Sequence, residues 1–149
     1  MSVTVEPFCR EFQKEVRGLI EAYLSERWGF LDASLNPDIR DITEAYREGY
    51  FAVALEEGYV IGTGAILPES VESARVVRMT VSKERRGEGI GSKILDALCE
   101  EARRRGYRSL KVETTETWDS AIAFYIRYGF RILGYWDGDC HFELGLDYI

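Results

Sequence analysis

The sequence is poor in several features that would otherwise dictate its class. Its 149 residues include three cysteines, three prolines and one histidine. Cys9, Cys99 and Cys140 are odd in number and far apart, so no disulfide framework is indicated, and without Cys-x-x-Cys or clustered histidine there is no zinc spacing. The cysteines read as small hydrophobes, with Cys99 near the apolar face of a helix. No apolar run reaches the ~18 residues of a membrane-spanning helix, no basic-then-apolar leader opens the chain, and no repeat, low-complexity stretch or Pro/Gly/Ser-rich linker divides it. These absences predict one domain over residues 1–149, cytoplasmic and without a membrane partner. Positive charge is scarce too. A net charge of −7 disfavours nucleic acid as a bulk partner, because phosphate neutralisation requires a basic face.

What the chain has is concentrated in one place. From Arg75 to Lys93 there are six basic residues (Arg75, Arg78, Lys83, Arg85, Arg86, Lys93) against two acids (Glu84, Glu88), a local positive surplus in an acidic protein. Within it lies Arg86-Gly-Glu-Gly-Ile-Gly-Ser92, between an apolar strand and a helix start. A helix start exposes unpaired N–H groups and the positive end of the macrodipole, and Gly87, Gly89 and Gly91 let anion oxygens approach the main chain. The same glycines would also suit a plain surface loop, and the charges a solvated face. Two familiar phosphate loops do not fit. A magnesium-nucleotide loop needs Gly-Lys-Ser/Thr where this chain has Gly91-Ser92-Lys93, and the dinucleotide fingerprint needs a glycine where it has Ser92.

Periodicity supplies the rest of the order. Ser2 to Pro7 alternates as a short strand, and Cys9 to Arg27 carries Phe12, Val16, Leu19, Ile20, Tyr23 and Leu24 at helical spacing. An aromatic connection from Trp28 to Pro37 leads to a second helix predicted over Asp38 to Glu48. Tyr50–Leu55 and Tyr59–Leu67 form a hairpin about Glu56-Glu-Gly58, and Val76–Val81 is the fourth strand. Ile90, Ile94, Leu95, Leu98 and Ala102 stripe a helix that ends near Gly106; a fifth strand holds Leu110 and Val112. A short helix from Ser120 stops at Gly129, and Phe130–Tyr135 with Cys140–Leu146 makes a last hairpin across Asp137-Gly138. The order β-α-α-β-β-β-α-β-α-β-β implies an α/β protein with a mixed sheet and helices on both faces.

Arg86-x-x-Gly89-x-Gly91, following Val77-Arg-Met-Thr-Val81, resembles the acetyl-CoA-binding motif of the GNAT superfamily of N-acetyltransferases. Ala121-Ile-Ala-Phe-Tyr125-Ile-Arg-Tyr-Gly129-Phe130 resembles its second signature, Ala-x-x-x-Tyr-x-x-x-Gly-Phe. The resemblance covers Tyr50 to Leu146 well and the first 49 residues in element order only. It implies the GNAT fold, with the fourth and fifth strands splayed around the pantetheine arm, acetyl-CoA as co-substrate, no metal, and direct acetyl transfer to an amine without an acyl-enzyme. The implied cofactor residues are Met79, Val81, Arg86, Gly87, Gly89, Gly91, Ser92 and Tyr125. Met79 would offer its backbone N–H to the developing oxyanion, Val81 its backbone to pantetheine, and Tyr125 a proton to the leaving thiolate. Tyr125 also sits on an Ala121, Phe124, Tyr125, Tyr128 helix face and would pack there regardless.

The general base is not indicated by the resemblance. Histone-modifying relatives carry a glutamate four residues before the Met79 position, where this chain has Arg75. Glu113 on the fifth strand is the first candidate, followed by Glu116 and Asp119, the latter also suited to a helix N-cap. His141 titrates in a useful range, but a single histidine on a C-terminal strand has an ordinary structural use. Trp118 stands where many family members have a cofactor-binding asparagine; Thr114 and Thr115 are substitutes for that contact, and Trp118 is alternatively an acceptor-pocket wall. The acceptor segments offer Tyr23, Trp28, Phe30, Leu31, Asp32, Tyr135, Trp136, Asp137 and Asp139, an aromatic and acidic set suited to a cationic amine. A small-molecule or amino-acid amine is the first expectation, with a peptide or protein amine or a non-catalytic acetyl-CoA-binding module as alternatives. Oligomeric state is not written in the sequence, and a homodimer stays open.

Overall fold

The computed structural model describes residues 2–29 and 35–146, so Phe30, Leu31 and Asp32 lie outside the described residues. Seven strands form one sheet: β1 (Thr4–Pro7), β2 (Tyr50–Glu56), β3 (Tyr59–Pro68), β4 (Ser73–Val81), β5 (Ser109–Thr115), β6 (Arg131–Trp136) and β7 (Asp139–Gly145). Their spatial order is β1-β2-β3-β4-β5-β7-β6, and every neighbouring pair is antiparallel except β4 with β5. Both predicted hairpin tips have left-handed backbone at two successive residues, Glu57 with Gly58 and Asp137 with Gly138. That twist matches the flanking strands, which is why Glu-Gly and Asp-Gly pairs serve there.

β2 shows how one strand feeds two cores. Ala52 and Ala54 face α3 (Ile90–Arg104), while Phe51, Val53 and Leu55 face α1 (Gln13–Trp28). Small residues on one side let α3 lie close, and Gly64 on β3 takes this furthest. A Cβ there would stand 2.5 Å from Ile94 Cγ2 and 2.6 Å from Met79 Sδ. The α3 stripe of Ile90, Ile94, Leu95, Leu98, Cys99 and Ala102 is buried as its spacing implied. α4 (Asp119–Tyr128) closes the same side, with Phe130 and Phe142 beneath it.

Two expectations are corrected. The helix predicted over Asp38 to Glu48 is a 3-10 turn, Pro37–Arg40, followed by the four-residue α2 (Ile42–Ala45). Asp41 divides them: its backbone is extended (φ −145°), and its side chain accepts from the Glu44 N–H at 3.2 Å, which starts a new turn instead of continuing the old one. Gln13 then fastens this segment to α1, donating to the carbonyls of Ile39 and Arg40 and accepting from the Ile42 N–H. Asp119 is the first residue of α4 and not its N-cap; Trp118 is, and its carbonyl accepts from Ala121 and Ile122.

The segment carrying α2 is also tied to the middle of β4. Arg78 donates to both oxygens of Asp38, at 2.9 and 2.6 Å, and to Asn36 Oδ1 at 3.0 Å; the Tyr46 hydroxyl donates to Asp38 at 2.6 Å. Burial pushes the Asp38 carboxyl up, but the hydrogen bonds from Arg78 and Tyr46 outweigh it and hold the group below the usual carboxylate range. A carboxyl depressed on folding adds stability above its unfolded pKa of ~3.9, and that stability is lost as pH falls through the lower folded value. Asp38→Asn should therefore cost about 2 kcal/mol at neutral pH. Denaturant unfolding of the two proteins from pH 7 to 3 should show the gap closing below ~4; a gap independent of pH would show that the charge is not what matters.

Candidate active site

The parallel pairing of β4 with β5 lasts three residues, Ser73–Arg75 against Ser109–Lys111, after which the two strands continue without pairing to each other. This is the expected splay. On its other side β4 bulges: Val77 pairs with Ala65 and Thr80 with Thr63, so Arg78 and Met79 together oppose Gly64. Arg78 has φ +56°, an arrangement that costs a non-glycine residue about 1 to 2 kcal/mol. Its contacts to Asp38 and Asn36, and the 2.8 Å bond from Thr63 Oγ1 to its carbonyl, keep it there. Met79 is thus left without a ladder partner on either flank.

Below the splay is a cleft of about 460 Å³ whose lining includes Met79, Val81, Arg86, Gly87, Gly89, Gly91, Ser92 and Tyr125, all eight residues singled out from the sequence. The three glycines answer different needs. Gly87 and Gly89 have φ of +83° and +84°, and a Cβ on either would meet nothing within 4 Å, so the space above the turn is open to a ligand. Gly91 has a normal backbone, but its Cβ would lie 3.0 Å from the Phe124 ring. No side-chain cap bonds the start of α3 and its first turn holds no acid, so its leading N–H groups have no side-chain partner among the described residues. That donor set suits a diphosphate.

The basic surplus around the turn is largely neutralised by remote carboxylates. Arg85 pairs with Glu56 and Glu88, Arg75 with Glu69 and Glu113, and Arg78 with Asp38. Arg86 reaches Glu26 on α1 at 2.7 Å, donates Nε to the Val81 carbonyl at 3.2 Å and lies over Tyr23. The hydrogen bond from Arg86 holds the Glu26 carboxyl below its usual range. Most of this charge run is therefore occupied within the protein.

Tyr125 is buried among Phe124, Phe130 and Phe142, and burial pushes its phenol well above the usual value, so it stays a protonated donor. It lines the cleft and also a smaller cavity of about 190 Å³ between β4 and β5, shared with Ile20, Tyr23, Met79, Glu113, Thr114 and Trp118. Trp118 belongs to this second cavity and packs on Trp28, ring centroids 5.3 Å apart. Thr114 reaches both cavities, whereas Thr115 lines neither.

Glu113 is absent from the larger cleft and stands at the far side of the small cavity. Its Oε1 accepts from Arg75 at 2.6 Å and its Oε2 faces His141 Nδ1 at 3.3 Å. His141 Nε2 is 3.1 Å from the Trp136 carbonyl, so both ring nitrogens lie against oxygens that accept. The imidazole stacks on the Trp136 indole at 3.7 Å. Sequence reasoning left His141 as structural; the signal that would have found it is the β5–β7 register, which sets Glu113 opposite His141. Asp139 joins them, with ligating atoms of the three within 4.8 Å of one another, although Arg75 already supplies Glu113 with a cation. Beyond lies a groove of about 560 Å³ that includes Arg75, Glu113, Trp136, Asp137 and His141. Glu116 and Asp119 line none of these three cavities.

Known proteins share this fold. A GNAT-family acetyltransferase from Staphylococcus aureus superposes with a TM-score of 0.89 at 20% identity, covering 98% of this chain and 100% of its own. The PaiA N-acetyltransferase of Thermoplasma acidophilum, solved with coenzyme A, gives 0.83 at 16% identity, covering 97% and 99%. In sequence, rat N-acetyltransferase 8F1 is 30% identical over 112 residues, 70% of this chain and 51% of the relative; the chain spans about half the length of such relatives. N-alpha-acetyltransferase 30 of Schizosaccharomyces pombe is 29% identical over 133 residues, 86% of this chain and 83% of its own. Residues 14–130, from the start of α1 through the Tyr125 helix to Phe130, match the model of the Acetyltransferase (GNAT) family, and the chain belongs to that family.

Proposed function

We propose that the chain is an acetyl-CoA-dependent N-acetyltransferase that moves the acetyl group directly to a primary amine of a small molecule or amino-acid derivative. The observation that carries this reading is the junction at Met79 and Tyr125, which line both the glycine-turn cleft and the small cavity on the acceptor side. Holding two substrates at such a junction makes their reaction effectively unimolecular, worth about 7 to 11 kcal/mol in favourable cases.

The α3 amides from Gly89 to Ser92, with those of Arg86 and Gly87, bind the diphosphate. Val81 pairs with pantetheine once Arg86 Nε leaves its carbonyl. The Met79 N–H, set on the bulge, stabilises the oxyanion, a role worth about 2.7 to 4 kcal/mol in measured enzymes. Tyr125 hydrogen-bonds the departing sulfur and passes it a proton, regaining one through water from the N–H of the collapsing tetrahedral intermediate, so the phenol ends neutral. Glu113, oriented by Arg75, takes the amine proton through water, and the His141 ring beside Oε2 shares it. Trp136 and Asp137, across the same groove, suit a cationic acceptor.

Release of free CoA from acetyl-CoA should depend on an added amine; tight acetyl-CoA binding with no acceptor-dependent release across an amine library would sink the enzyme reading in favour of a binding module. A peptide or protein amine is the second reading, favoured by the match to N-alpha-acetyltransferase 30 over most of that protein's length. Peptides with free N-termini belong in the same library and would decide between them.

Tyr125→Phe should lower kcat about tenfold to a hundredfold while leaving the CoA dissociation constant within twofold; undiminished turnover would remove the acid role. Glu113→Gln should lower kcat/KM and abolish the acidic limb of its pH profile, where protonation of the carboxylate quenches the base. An unchanged limb would assign the proton to another group.

A further inference from the structure

Arg27, the penultimate residue of α1, belongs to none of the motifs. Its Nε is the one buried side-chain nitrogen or oxygen without a hydrogen-bond partner among the described residues. Its guanidinium lies over the Trp118 ring at 4.7 Å and beside the Tyr23 ring at 5.3 Å, on the wall of the cleft that holds the glycine turn and Tyr125. Unlike Arg85 and Arg86 on that wall, it makes no ion pair among the described residues. Its sequence neighbour Glu26 is engaged by Arg86 instead.

Two aromatic faces position a cation without satisfying its directed N–H groups. A buried donor left in that state is costly unless something else accepts from it. Among the described residues nothing accepts from it, and the side chain lines the cleft. Its place along the cleft narrows the choice. Trp118, on which it rests, borders the small cavity with Met79 and Tyr125, whereas the glycine turn is absent from that cavity. Tyr23 also carries Arg86 of the glycine turn, so the guanidinium lies on the cleft wall between that turn and the small cavity, along the stretch that the arm of the ligand proposed above would cross.

We propose that Arg27 is a binding residue for acetyl-CoA, donating to an amide carbonyl of the pantetheine arm and held in place for that contact by Trp118 and Tyr23. The inference rests on the proposed binding of acetyl-CoA, and the test separates the two. Calorimetric titration of the full chain with CoA comes first. If the wild type fails to bind, both readings are overturned.

With binding established, Arg27→Ala should weaken CoA about tenfold with the thermal midpoint of the ligand-free protein unchanged. Arg27→Lys keeps a cation over the rings but lacks Nε–H and the planar fork, so it should not restore affinity. Wild-type affinity in either variant would overturn this proposal and leave the function standing. The loss should be equal at 50 and at about 500 mM salt, as for a neutral acceptor; a loss that shrinks with salt would place Arg27 on a phosphate and overturn the assignment to the arm.

Discussion

The site depends on the early end of the β4–β5 ladder. Parallel strands normally continue pairing for as long as both run, because each unpaired backbone group left away from water is costly. Here the pairing stops after Arg75 and Lys111 while β4 runs on to Val81 and β5 to Thr115. The bulge at Arg78 and Met79 turns β4 away, and α4 with its aromatic underside spans the gap that results. One break in one strand pair thus leaves both the glycine-turn cleft and the small cavity between β4 and β5, which share Met79 and Tyr125.

The bulge has to be held, and its restraint comes from the segment between α1 and β2. Asp38 and Asn36 grip Arg78, while Gln13 and Tyr46 grip the segment that carries them. Met79 is adjacent, so the backbone group proposed to meet the oxyanion is positioned by that segment. Gly64 completes the restraint from β3: any larger residue would press on Ile94 and on Met79 itself.

Charge acts in the same indirect way. Arg75 occupies the strand position where some GNAT relatives carry a glutamate, and in this chain it orients a glutamate on the neighbouring strand. The arginine-rich approach to the glycine turn invites a reading as a phosphate-binding patch. In the folded protein four of those six cations are committed to carboxylates, and Lys83 and Lys93 alone make no ion pair among the described residues.

What the sequence determined by itself is whatever a few neighbouring residues impose on the backbone. Gly87 and Gly89 had to allow left-handed dihedrals, Glu57-Gly58 and Asp137-Gly138 had to turn, and the α3 stripe had to bury, so the turn, both hairpins and most of the order of elements along the chain were legible. The second helix was not, because Asp41 competes with helix continuation through a hydrogen bond that periodicity does not register. Only the tertiary structure decided the pairs that join residues far apart in the chain: Arg86 with Glu26, 60 residues away, Arg78 with Asp38, 40 away, and Arg75 with Glu113, 38 away. His141 reaches Glu113 for the same reason, through strand register. Such contacts cost nothing in local propensity and leave no local trace; they exist because the sheet brings its strands into one alignment.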